Sequence, residues 1–282
     1  MPLRNGAAES VGWGARARAR RARRALERQL DYQRNKARRA VGREAEYVSA
    51  MREHSSSVRA TLEAVRPIEG DARVLEVGSG AHGLIFFFGT TRGVGLDPLA
   101  AHYATLFPAW QRRAHTIAAH GEALPFADGS FDVVLCDNVV DHAERPDLIV
   151  SELARVLSPG GLLYFTVNVH HPVYAVAAAL HAGWRAAGLP FEVGPFADHT
   201  VHLTLEGARL LFKDLPLRLI SERHDIAEAR ARAHARAPRN VGDRFKSVFF
   251  KNALFEVVAT REGDRRSWLS THLLFGISLL PN

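Results

Sequence analysis

The apolar positions of this 282-residue chain fall into two rhythms. Short unbroken runs that end in glycine, proline or acid predict buried strands at 74–77, 94–96, 131–136 and 162–167. Apolar residues three or four apart predict helices. Val58, Leu62 and Val65 mark one over 47–65, and Ile149, Leu153 and Leu157 mark another over 147–157. Leu84 to Thr90 is long enough for about two helical turns. Asp128 and Gly129 form a turn before the third strand, and Pro159, Gly160 and Gly161 are expected to stop the second helix. Later strands are expected at 217–222 and 247–261, the last with a turn at Lys251 and Asn252, closed by Glu262, Gly263 and Asp264. Strands alternating with helices give an α/β fold, Rossmann-like, with a mostly parallel sheet covered on both faces.

Chemistry concentrates in VLEVGSGAHG, residues 74–83. A strand carrying one acid, Glu76, runs into Gly78, Gly80 and Gly83; the following strand, VGLDP, places Asp97 nineteen residues after Gly78. Strand, glycine turn, helix, strand and acid is a framework for holding a nucleoside at the edge of a parallel sheet. The glycines let backbone approach a ligand, and the acid accepts both ribose hydroxyls. Two features disfavour a dinucleotide. The Glu76 carboxylate opposes an incoming pyrophosphate, and the helix after the glycines is short for cradling one. Both suit a ligand with a cationic ammonium or sulfonium end.

GEALPFADGSFDVVLCDNVVDH, residues 121–142, and SELARVLSPGGLLYFTV, residues 151–167, extend the pattern. With VLEVGSG and GLDP they make the chain resemble class I S-adenosylmethionine-dependent methyltransferases, in particular the broad group acting on small molecules, lipids and sugars. The resemblance covers residues 74–168 and implies a seven-stranded, mostly parallel sheet with helices on both faces. It implies that Gly78 and Gly80, with Ser79 between them, pass under the methionine part of S-adenosylmethionine. Glu76 would fix this loop and the cofactor's amino group, and Asp97 would take the ribose hydroxyls. The family's usual G-D-A-E-x-LPF is replaced here by Ala119, His120, Gly121 and Glu122 before Ala123, so His120 occupies the customary acid position. Adenine recognition is assigned to Gly121 and Glu122 beside His120. Asp137 and Asn138, at the end of the strand predicted at 131–136, would border cofactor and acceptor. Bland alternatives stand beside these roles: the glycines as a plain turn, Asp97 before Pro98 as a helix cap, and Cys136 as a buried strand residue.

The acceptor side is less sharply marked. Almost fifty residues separate the strand ending near Asn168 from Leu217, whereas a crossover needs about a dozen, which predicts a cap over 169–215. Thr204 reads as a helix N-cap with Glu206 in its first turn. His142, His170, His171, His199 and His202 are candidates to line the pocket. Methyl transfer chiefly requires alignment and exclusion of water. A hydroxyl acceptor adds the need for a base near neutral pH, for which His142 or His171 is chosen. Tyr47 or His54, on the helix before the first strand, is placed near the cofactor. No metal site is expected, since His199 and His202 lack a cysteine or carboxylate pair to complete a shell.

Charge is uneven. Residues 1–70 hold 16 Lys or Arg against 8 Asp or Glu, and the remainder holds 21 against 22, so the net positive charge lies in the first quarter. Such an arginine run can contact nucleic acid, anionic lipid or an acidic partner. Arginine outnumbers lysine 33 to 4, which points as well to coding bias and a solvated helix, and nucleic acid is not favoured. One cysteine allows no intramolecular disulfide, and neither a signal peptide nor a membrane span is expected. The expectation is therefore cytoplasmic. The domain reading is a basic extension at 1–45, a methyltransferase domain at 46–262 and a tail at 263–282 whose apolar face docks on the core or a second subunit. The rival readings are an RNA or protein methyltransferase recruited by the basic segment, an NAD(P)-dependent oxidoreductase, and a non-catalytic adaptor that keeps the fold.

Overall fold

The computed structural model describes residues 13–143, 145–174, 176, 202–235, 249–250 and 252–263. Helices α1 (Trp13–Ala40) and α2 (Glu44–Glu63) precede β1 (Arg73–Val77), β2 (Arg92–Leu96), α3 (Ala100–Leu106), α4 (Pro108–Gln111) and β3 (His115–Ile117). The chain continues through β4 (Phe131–Asp137), α5 (Pro146–Val156), β5 (Leu157–Val169), α6 (Leu205–Leu210), β6 (Leu217–His224), α7 (Ile226–His234) and β7 (Ala253–Arg261). The strands form one seven-stranded sheet in the order β3-β2-β1-β4-β5-β7-β6. Pairing is parallel from β3 to β5, and β7 runs antiparallel to both of its neighbours. This is the class I methyltransferase fold.

Each strand alternates between two cores, because successive side chains leave a strand on opposite faces. Val74, Val133, Leu135, Leu162 and Tyr164 pack with Val58 and Leu62 of α2 and with Trp110. Leu75, Val134, Cys136, Leu163 and Phe165 pack with Ile149 and Leu153 of α5 on the opposite side. Complete burial stabilises each large apolar side chain by about 1.5–3 kcal/mol. The strand order reverses between β1 and β4, so the crevice for a ligand lies beyond their carboxyl ends. Among the described residues no helix is long and apolar enough to cross a membrane.

Two expectations are corrected. The segment from Leu84 to Thr90 is not a two-turn helix but a single 3-10 turn, Leu84–Phe86. Leu84, Ile85, Phe86 and Phe88 are all buried, which a helix with one covered face does not allow. The chain is then drawn back by Thr90 Oγ1, which donates to the Ala72 carbonyl, and by the Thr91 N–H, which donates to Gly70. Nor does the Pro159-Gly160-Gly161 run separate helix from strand. β5 starts at Leu157 directly after α5, and the glycines lie inside the strand. The pairing with β4 jumps there from Phe131–Leu157 to Val133–Leu162, a bulge that Gly160 permits at φ +73°.

Thr204 caps α6 as expected, its hydroxyl accepting from the Gly207 N–H at 3.0 Å. The later half of α1 lies against the body: Gln33 and Ala40 are buried, and Leu30 and Ala37 join the core that contains Tyr103. Of the expected last strand, residues 253–261 form β7; 247, 248 and 251 lie outside the described residues, and Asn252 has φ +59°. The tail from 264 onward, His199 and most of the expected cap also lie outside them.

Candidate functional site: the crevice at the carboxyl ends of β1, β2 and β4

Glu76 is the centre of the glycine turn. It points into the core, 2% exposed, and its two oxygens accept the N–H groups of Leu84 and Ile85 at 3.0 and 2.9 Å. One carboxylate thereby caps the two N–H groups that open the 3-10 turn, donors that have no partner within it. Burial pushes its pKa up to about 7, against the opposing pull of the two N–H donors. Gly83 closes over it so tightly that a Cβ would stand 2.4 Å from Glu76 Oε2.

Gly78 has φ +75°, and a Cβ there would lie 2.3 Å from the Val139 side chain, so only glycine fits. The Gly78 and Ser79 N–H groups both donate to the Leu96 carbonyl. The Ser79 side chain turns inward to Gly95. Gly80 has φ +50°, and its N–H donates to Asp97 Oδ2 at 3.2 Å. Asp97 Oδ1 accepts from the Leu99 N–H at 2.8 Å, so this acid is a cap as well as an arm of the turn. Burial raises its pKa, and the backbone donors at Leu99 and Gly80 oppose the rise. A Cβ at Gly80 would stand 3.9 Å from Asp97 Oδ2.

Gly121 is buried against Val77 and Ile149, with Glu122 half-buried and His120 exposed beside it. This loop is tied to α5, because Glu152 accepts from the Leu124 N–H and Arg155 donates to the carbonyls of Leu124 and Phe126. On β4, Asp137 Oδ1 accepts from the Thr166 hydroxyl at 2.5 Å and Oδ2 lies 2.8 Å from His54 Nε2 of α2. The hydrogen bond to Asp137 raises the pKa of His54, and burial opposes it. Asn138 has φ +57°, is exposed, and its side-chain oxygen accepts from Asn168 Nδ2.

The predicted histidines scatter. His142 ends the 3-10 turn Val140–His142, with its side chain 53% exposed. His171 follows β5, its ring 4.8 Å from that of Phe249 and its Nδ1 accepting from the Val173 N–H. His170 and His202 are buried with ring centroids 5.1 Å apart. Among the described residues no three His, Cys, Asp or Glu side chains gather as metal ligands. Cys136 is fully buried, and burial pushes its thiol pKa well up, which makes it a packing residue.

Sequence reasoning missed the clamp behind the turn. Trp110 Nε1 donates to the Ala81 carbonyl at 2.7 Å, and Gln111 Nε2 donates to Gly80 and Ala81. His82 is enclosed by Tyr47, Phe107 and Trp110, and burial lowers its pKa to about 4, so it stays neutral. The only signal was the Pro108 that starts α4. It also missed a polar row across three strands: Asp137 pairs with Thr166 and Thr166 with Glu256, which accepts from Tyr164.

A mostly parallel sheet that reverses order beside a glycine turn, with a carboxylate on each side of that turn, offers an edge on which a nucleoside can rest. The chain matches the methyltransferase domain family over residues 75–165. It is 33% identical over 174 residues to an uncharacterized methyltransferase of Mycobacterium sp. strain KMS, covering 58% of this chain and 59% of that one. A further relative of the same description, from Mycobacterium tuberculosis, is 36% identical over 120 residues, 42% of this chain and 38% of that one. The chain thus spans less than two thirds of the length of these relatives. Among solved structures, the YcgJ protein of Bacillus subtilis superposes with a TM-score of 0.51 at 16% identity, covering 75% of this chain and all of that one. Geranyl diphosphate C-methyltransferase from Streptomyces coelicolor, solved with S-adenosylhomocysteine, gives 0.50 at 14%, covering 73% and 78%. At these identities the likeness is one of fold.

Proposed function

We propose that this protein transfers a methyl group from S-adenosylmethionine to a small-molecule, glycan or lipid-like acceptor. The observation that carries the reading is the pair of carboxylates around the turn. Glu76 builds the turn from inside, and Asp97 holds the Gly80 N–H while facing the space left by the missing Cβ. In this reading the backbone of Gly78, Ser79 and Gly80 supports the methionine part, with Glu76 beneath it. Asp97 receives the ribose, Gly121 and Glu122 border the adenine, and Asp137 and Asn138 stand between cofactor and acceptor. Bound there, the cofactor supplies an activated methyl carbon on a sulfonium. The protein's part is to orient that carbon and keep water out. His142 and His171, where the chain leaves β4 and β5, are candidates for the acceptor side. The single buried cysteine favours a cytoplasmic setting.

An oxidoreductase is the weaker reading, because the 3-10 turn at Leu84–Phe86 offers no helix N-terminus for a pyrophosphate. Methylation of RNA or protein has one observation in its favour: α1 contains eleven basic residues against Glu27 and Asp31. Calorimetric titration with S-adenosylmethionine, S-adenosylhomocysteine and NAD(P)H tests the main reading. Micromolar binding of the sulfur cofactors alone, lost in Asp97→Ala, is the expected result. Preference for the nicotinamide would refute it. Steeply salt-dependent acceptor binding would favour the nucleic-acid reading.

A further inference from the structure

We propose that His54 is the base of this site, taking the proton that the acceptor loses on methylation, with Asp137 and Thr166 as its positioning residues. The inference rests on the methyltransferase reading above. His54 leaves α2 and meets Asp137 across 2.8 Å, a contact between residues 83 apart in sequence. Asp137 is itself fixed: its other oxygen accepts from Thr166, whose hydroxyl in turn accepts from the Asn138 N–H at 2.9 Å. An ionised carboxylate only accepts, so Nε2 of the neutral ring carries the hydrogen and Nδ1 keeps its lone pair. This is the arrangement in which a carboxylate sets the tautomer of a catalytic imidazole and stabilises its cation.

Location supports the role. Leu135 pairs with Glu76, so Asp137, two residues on, stands level with Gly78 at the mouth of the crevice. The His54 side chain is 52% exposed, open to an acceptor and to solvent for proton release. The charged groups acting on it from β4, β1 and β7 are Asp137, Glu76 and Glu256, all carboxylates. They favour the imidazolium and disfavour an anionic acceptor. His171 Nδ1 instead receives the Val173 N–H, and His142 lies 3.8 Å from Asp141. The acceptor class is therefore a neutral or cationic compound with an O–H or N–H to lose. Its lone pair bonds to the methyl carbon, the carbon–sulfur bond breaks with its electron pair left on sulfur, and the acceptor proton passes to His54 Nδ1.

The first test is independent of turnover. Long-range proton–nitrogen spectra of the full chain with ¹⁵N-histidine, assigned through His54→Asn, read the tautomer and titration of this ring. Expected are an Nε2–H neutral form and a midpoint above that of an ordinary histidine, returning toward it in Asp137→Asn. The second test releases S-adenosylhomocysteine from S-adenosylmethionine over a panel of simple alcohols, phenols and amines. His54→Asn is expected to keep cofactor affinity within about threefold while kcat falls at least about 100-fold, with partial rescue of His54→Ala by imidazole. Thr166→Val is expected to lower kcat less and to shift the pH profile. An Nδ1–H tautomer, a midpoint indifferent to Asp137, or a kcat loss that follows His142 or His171 overturns the role of His54. Failure of the wild-type chain to bind the sulfur cofactors overturns the methyltransferase reading instead.

Discussion

The two walls of the crevice are built on opposite principles. On the β1–β2 wall, the side-chain hydrogen bonds of Glu76 and of Asp97 among the described residues go to backbone within about ten and twenty residues: Leu84 and Ile85 for the first, Gly80 and Leu99 for the second. The carboxylates shape the loop, and the loop presents its backbone. On the β4–β5–β7 wall the contacts run between side chains distant in sequence: His54 with Asp137, Asp137 with Thr166, Tyr164 with Glu256. In the function proposed above, the locally closed wall holds the cofactor and the wall assembled at long range faces the acceptor, so the second can vary without disturbing the turn. Buried backbone must be satisfied wherever it lies, whereas a side-chain row survives only if its strands hold register.

That contrast can be broken most severely at Gly78. Gly78→Ala sets a Cβ into Val139 at a positive φ and should cost about 3 kcal/mol, together with cofactor binding, in denaturant titration and calorimetry. Retained micromolar affinity would mean that the turn tolerates far more movement than its contacts imply. Asp97→Ala comes next. Losing a charged acceptor of the Gly80 and Leu99 N–H groups should weaken cofactor binding about 10- to 100-fold, against little change for Asn168→Ala on the other wall.

A smaller effect sharpens the comparison through pH. The folded pKa of Glu76 lies above its ordinary 4.5, near 7. Between those values the folded chain holds more proton there than the unfolded chain, so stability declines as pH rises through that window. Glu76→Gln should flatten this part of the stability–pH curve, and an unchanged slope would place the carboxyl in a wetter setting than its burial implies. The smallest effect belongs at the far end of the same strands, where Asp132 pairs with Arg73 at 2.5 Å. The guanidinium holds Asp132 at about 2, so its contribution is present above the ordinary carboxylate range and lost as pH falls toward 2. Asp132→Asn should cost below about 1 kcal/mol at pH 7, in urea titration, and leave cofactor affinity alone.

What could be read from the sequence follows the same division. Strand–glycine–strand–acid was legible because its physics is local: a short apolar run is buried, positive φ selects glycine, and an acid follows the second strand. The sheet class followed from alternation. Leu84 to Thr90 misled because apolar residues one after another fit a helix by length, while the structure buries Leu84, Ile85, Phe86 and Phe88 and gives the N–H groups of Leu84 and Ile85 to Glu76. Pro159 and the two glycines misled in the opposite sense, since a bulge uses the residues that ordinarily stop a helix.

Sequence by itself therefore determined one wall of the crevice: its first strand, its glycine turn and its two acids, all set within short stretches of chain. Tertiary structure alone decided that Trp110 and Gln111 clamp the turn, that His82 is sealed among aromatic rings, and that His54 faces Asp137. These meetings depend on how α2 and α4 pack across the sheet and on the register that aligns Asp137, Thr166 and Glu256. No periodicity in one segment encodes the distance to another.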